Sequence, residues 1–280
     1  MKTENGVFEG CIMEIKKKTS REHILERPNM YIGSNNVNTY NEYIIDGDVI
    51  VKKDIEYIQG LLKIINEIID SMVFVEGCDL VSSLFDNQQN FKVPIRSFYI
   101  GKYVITERQW ESIMFENISK SNRNIPKTNI SWYDCCLFIN KLNSICNVGF
   151  RLPSELEWQY AASGGKYTHG YKYAGSDIAD DVAWYRKDNN DGIQEVGLKK
   201  PNELGLYDMS GNVWEWCQNS CIYHNDLKKT DQRLSMILPS LRKVIKGGSC
   251  AVSEGSSAIE YSYDQTTDYK GNYIGLRLAV

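Results

Sequence analysis

Between residues 57 and 72, apolar side chains return every three or four positions, at Ile58, Leu61, Leu62, Ile65, Ile68, Ile69 and Met72. That spacing places them on one face of a helix, and an amphipathic helix is expected there. Further along, the period shortens. Residues 98–106, FYIGKYVIT, alternate as a half-buried strand does. Thr106 and Gln109 then form a capping box that opens a helix through Trp110, Ile113 and Met114. Ser131 with Asp134 marks a second helix start, with Cys135, Phe138, Ile139 and Leu142 on one face. Ser154 with Glu157 marks a third, closed by Gly164 and Gly165.

The chain is organised around residues 205–216, GLYDMSGNVWEW. Gly205 and Gly211 suit a turn, Asp208 and Asn212 offer oxygen acceptors, and Val213, Trp214, Glu215 and Trp216 alternate sides. The tryptophans are core material, so the segment reads as a turn feeding a central strand. A last strand is expected over residues 243–247, whereas residues 218–241 show no period. Residues 177–192 form an acidic, irregular stretch. A solvated loop is the expectation there, although Asp181, Asp188 and Asp191 could offer hard oxygen ligands.

Composition narrows the classes. The 280 residues are 42% hydrophobic and 24% charged, with a formal net charge of -4. This is enough for one large domain and a smaller one, and it lacks the basic footprint that grips a phosphate backbone, so no nucleic-acid partner is expected. No signal-length or membrane-span-length apolar run occurs, which leads to the expectation of a cytoplasmic or virion-associated protein with no membrane partner. In a reducing compartment the 8 cysteines read as buried thiols. Cys217, Cys221 and His224 make an incomplete metal set, and 3 histidines argue against a three-histidine centre.

Two resemblances follow from motifs. REHILERPNMYIGS, residues 21–34, followed by GLLKIINEIIDS, residues 60–71, resembles the start of the ATPase region of phage-type II DNA topoisomerases. That resemblance implies a water-activating glutamate at Glu67, but Ser71 stands where the family's magnesium-binding asparagine would be. The downstream Asp-x-Gly-x-Gly turn is missing, so no ATP is expected as cofactor. Residues 1–73 are accordingly taken as a separate N-terminal segment, a truncated ATPase start.

Residues 74–280 resemble the formylglycine-generating enzyme, or sulfatase-modifying factor, family. The motifs are FYIGKYVIT, WYDCCLFINKLN, FRLPSELEWQYAASGG, KKPNELGLYDMSGNVWEW, KVIKGGS and IGLR, in family order. The resemblance implies a C-type-lectin-like α+β fold, irregular and loop-rich, after a small helical N-terminal segment. It also implies copper(I) on two active-site cysteines, because Cu(I) prefers soft thiolates. Counted from GGS, those positions are Val252 and Ser257, so no copper and no catalytic residue are expected. The alternative is a divergent oxidoreductase using Cys250 with Cys217 or Cys221. The family's calcium maps to Gly211, Asn212, Val213 and Glu215, which makes a structural Ca²⁺ an expectation; the competing reading is that Asn212 and Glu215 satisfy buried polar groups.

The tail suggests what replaces catalysis. Tyr261, Tyr263, Asp264, Thr266, Tyr269, Asn272 and Tyr273, set among serine and glycine, have the composition of a binding paratope. The tail is similar, in its GGS to IGLR framing, to the variable proteins of diversity-generating retroelements. A non-catalytic, phage-derived binder of a protein or surface ligand is the expected function.

Overall fold

In the computed structural model, the structure describes residues 37–46, 49–82, 91–114, 124–187, 192–220 and 242–280. Strands β1 (Val37–Asp46) and β2 (Val49–Ile58) pair antiparallel, with Val37 opposite Ile58. Helix α1 (Gln59–Asp70) follows directly. Its Ile64, Ile65, Ile68 and Ile69 are buried in one core with Trp110, Phe138, Leu142, Trp216 and Leu278. The helix expected within the 1–73 segment therefore packs inside the domain that follows it. Glu67 bonds Arg108 at 2.5 Å, and the Ser71 hydroxyl donates to the Ile68 carbonyl. Residues 21–34 lie outside the described residues.

Strand β3 (Met72–Val75) pairs with β6 (Phe98–Gly101), and β4 (Cys78–Ser82) with β5 (Phe91–Ile95). The alternation expected across residues 98–106 is a strand only as far as Gly101, but Val104 and Ile105 remain buried. The C-terminus returns to this region: Gly101 N–H donates to Leu278 O at 2.8 Å, and Ile105 N–H to Leu276 O at 2.9 Å.

All three helix starts have reciprocal caps. Helix α2 (Glu107–Met114) opens with Thr106 N–H donating to Gln109 Oε1 at 3.0 Å and Gln109 N–H donating back to Thr106 Oγ1 at 3.3 Å. Helix α3 (Trp132–Cys146) opens on Ser131 and Asp134, and α4 (Glu155–Ala162) on Ser154 and Glu157. Trp110 of α2 stacks on Phe138 of α3 with ring centroids 4.8 Å apart. The acidic loop contains a short helix, α5 (Ala179–Val182), where Asp181 pairs with Lys200 at 3.1 Å. Asp188, Asp191, Cys221 and His224 lie outside the described residues.

The main sheet comprises β7 (Trp214–Ser220), β8 (Arg242–Lys246), β9 (Ser262–Thr266) and β10 (Ile274–Gly275) in the order β10-β7-β8-β9. Strand β10 runs parallel to β7, and the other neighbours are antiparallel. Fully buried Glu215 and Arg277 join this sheet to the rest of the fold. Arg277 Nη2 and Nε donate to Glu215 Oε1 at 2.7 Å and Oε2 at 2.9 Å. Its other donors reach the carbonyls of Gly101, Lys102 and Tyr207 at 2.8–3.0 Å. Trp158 Nε1–H completes the node on Glu215 Oε2 at 2.6 Å. Such a pair offsets its desolvation only when the remaining donors are met, and here they are.

Candidate functional site

The site is built from two loops locked to each other. Gly211 has φ of +77°, and a Cβ there would lie 2.2 Å from Trp184 O. Only glycine fits so close an approach. Gly211 N–H donates to Gly247 O at 2.7 Å, and Cys250 N–H to Asn212 O at 3.0 Å. The GNVWEW turn thereby holds the GGS turn, and the GGS turn sets the position of residues 250–257.

From there the chain enters an open cleft of about 260 Å³. Trp214 forms its floor, and Tyr261, Tyr263, Tyr269 and Tyr273 stand around it. The rings of Tyr261 and Tyr263 lie 6.0 and 6.4 Å from Trp214, tilted at 41° and 39°. All four tyrosines are exposed. Asn272 also lines the cleft, as do Gln265 and Ser256.

Asp264 and Thr266, grouped with these residues from composition, do not line the cleft. Asp264 points to the opposite face of β9, 2% exposed, in an ion pair with Arg242. Strand alternation explains both positions: Tyr261, Tyr263 and Gln265 fall on one side, Asp264 and Thr266 on the other. The period of two also carried the signal for Gln265, which composition alone passed over. Trp214 was legible as core, and it is both core and cleft floor.

The two positions matched to family cysteines are both here. Val252 lines the cleft, while Ser257 is fully buried with no partner for its hydroxyl among the described residues. Cys250 is 2% exposed, and burial pushes its thiol up to about 11. Cys217 is fully buried, and burial raises its thiol well above the usual thiol range. A Cu(I) site needs a pair of available thiolates, and among the described residues the buried thiols of Cys250 and Cys217 do not fit one.

The residues mapped to calcium sit together on the turn, but their side chains serve the protein. Asn212 Oδ1 accepts from Gln194 N–H at 3.0 Å, and its Nδ2 donates to Gln194 O at 3.1 Å. Both oxygens of Glu215 accept from Arg277, so a cation already stands beside the carboxylate. Ca²⁺ takes about six to eight oxygens, and the two polar side chains of this set are already committed to Gln194 and Arg277.

The comparisons agree with this architecture. The model of the sulfatase-modifying factor enzyme 1-like domain matches residues 63–280. The chaperone protein LppX of Paenibacillus barcinonensis is 30% identical over 261 residues, covering 75% of this chain and 89% of LppX. The formylglycine-generating enzyme of Streptomyces coelicolor is 32% identical over 110 residues, which span 34% of this chain and 32% of the enzyme. Among solved structures, Treponema denticola variable protein 1 superposes with a TM-score of 0.59 at 24% identity, covering 74% of this chain and 94% of its own. With the GNVWEW and GGS turns interlocked at the head of the cleft and the match running to the last residue, the chain belongs to the sulfatase-modifying factor enzyme 1-like domain family.

Proposed function

We propose that this chain is a binding protein on a formylglycine-generating-enzyme scaffold, with the tyrosine-lined cleft as its contact surface and no oxidase chemistry. The observation that carries the reading is the exchange at one place in the fold. A valine lines the cleft where the family has a copper-binding cysteine, and Trp214 with four exposed tyrosines surrounds it. Aromatic anchors of this kind give large contact area at low entropic cost. The name of LppX, a chaperone protein, also describes holding a partner rather than transforming one. Variable protein 1 shares the fold, and the tyrosine-rich tail between GGS and IGLR supports a retroelement-diversified, phage-derived origin.

The oxidoreductase reading draws on the formylglycine-generating relatives and would run through Cys250. A thiol held near pKa 11 by burial is mostly protonated at neutral pH and a poor ligand or nucleophile. Affinity capture with the full chain separates the two. Partners retained by wild type should persist with Cys250→Ala and be lost when Tyr261, Tyr263 and Tyr273 are replaced together by alanine. Capture that survives the triple replacement removes the cleft as contact surface.

A further inference from the structure

Granted that the cleft binds, its lining also restricts the chemistry of the ligand. Among the described residues, none that lines the cleft is Asp, Glu, Lys, Arg or His. A charged group entering it would lose hydration and gain no counter-charge. Anionic and cationic ligands are therefore disfavoured by the walls themselves.

The polar capacity of the same walls is unspent. Among the described residues, the phenol hydroxyls of Tyr261, Tyr263, Tyr269 and Tyr273 and the amides of Gln265 and Asn272 have no partner within the chain. An apolar side chain pressed into the cleft would strip water from these groups and leave them unpaired. Sites built with hydrogen-bonding groups reject ligands that lack the matching ones.

A neutral polyhydroxylated ring meets both conditions: its C–H face can lie on an aromatic ring while its hydroxyls reach phenols and amides. The volume of about 260 Å³ falls just below the roughly 300–1,000 Å³ of drug-sized sites, so the cleft suits an end group rather than a long chain. We propose that the cleft floored by Trp214 and walled by the four tyrosines recognises the terminal residues of an uncharged saccharide. No metal ion is part of the proposed site, because the described lining offers no carboxylate to hold one.

The test is a glycan array carrying neutral, sialylated and sulfated structures, probed with the full chain both with and without EDTA. Hits are titrated against wild type, Tyr263→Phe, Asn272→Ala and Tyr167→Ala. Neutral glycans should be retained. Tyr263→Phe, which keeps the ring and loses only the hydroxyl, and Asn272→Ala should each weaken binding about tenfold, the scale of one lost hydrogen bond. Tyr167, exposed away from the cleft, should be silent, and thermal melts exclude unfolding as the cause. Binding confined to sialylated or sulfated glycans, binding abolished by EDTA, or an array with no hits would each overturn the saccharide. If no glycan binds but the triple tyrosine replacement still abolishes capture of a protein partner, the saccharide is wrong and the binding cleft stands. If neither effect appears, both are wrong.

Discussion

Asp208 holds a carboxyl group where the fold gives it little help. Its Oδ2 accepts from Gly197 N–H at 2.8 Å, whereas Oδ1 is buried with no partner among the described residues. Burial raises its pKa from 3.8 to about 6, opposed by the Gly197 N–H and by Arg277. Because the folded value lies above the unfolded one, the favourable contribution is complete below pH 3.8 and is lost as pH rises through about 6. A rise of that size corresponds to at most about 3 kcal/mol. Asp208→Asn keeps an acceptor for Gly197, tolerates the φ of +55°, and removes the buried charge. It should stabilise the protein by about 1–2 kcal/mol at pH 7 and by nothing below pH 4, as read from urea unfolding across pH. Equal gain at both pH values would show that the Asp208 carboxyl titrates alike in the folded and unfolded states, with no upward shift from burial. The residue's acceptor role was legible in DMSGN; its isolation was not, since that depends on which atoms other segments bring to it.

At the scale of elements, local signals were the readable ones. Thr106 with Gln109, Ser131 with Asp134, and Ser154 with Glu157 are contacts three residues apart, and all three form the expected caps. Ser154→Ala should cost about 1 kcal/mol in denaturant unfolding, the usual worth of such a cap. A negligible change would mean that the bidentate Arg151–Glu157 pair holds the helix start alone. The Gly47–Asp48 pair between β-branched runs is a two-residue hairpin signal in the sequence, and β1 and β2 pair antiparallel on either side of it. The period of helix α1 tells which face is buried but not against what, and that face packs into the core that also holds Trp110 and Phe138, which assigns the helix to the same body. Ile68, 1% exposed in the shared core, tests the assignment. Ile68→Ala should lower the stability of the whole domain by about 2–5 kcal/mol in a single transition. A separate early transition with an unchanged main one would restore α1 to an independent unit.

For the whole molecule, the topology came from ordered motifs rather than from patterning. The node that ties it together could not be read locally, because Glu215 and Arg277 are 62 residues apart in the chain. Glu215→Gln keeps the shape and leaves Arg277 buried without its counter-charge. It should destabilise the fold by about 3–5 kcal/mol, and near-neutral unfolding energetics would show that carbonyl acceptors suffice for the guanidinium. The same node fixes β7, whose Trp214 floors the cleft, so fold and cleft depend on one frame. We propose that this frame holds ligands and no longer oxidises thiols. The most direct test is incubation of the full chain with Cu(I), oxygen and a cysteine peptide from a sulfatase, followed by mass spectrometry of the peptide. The peptide should emerge with its cysteine intact; an aldehyde that forms with wild type and disappears with Cys250→Ala would contradict the account.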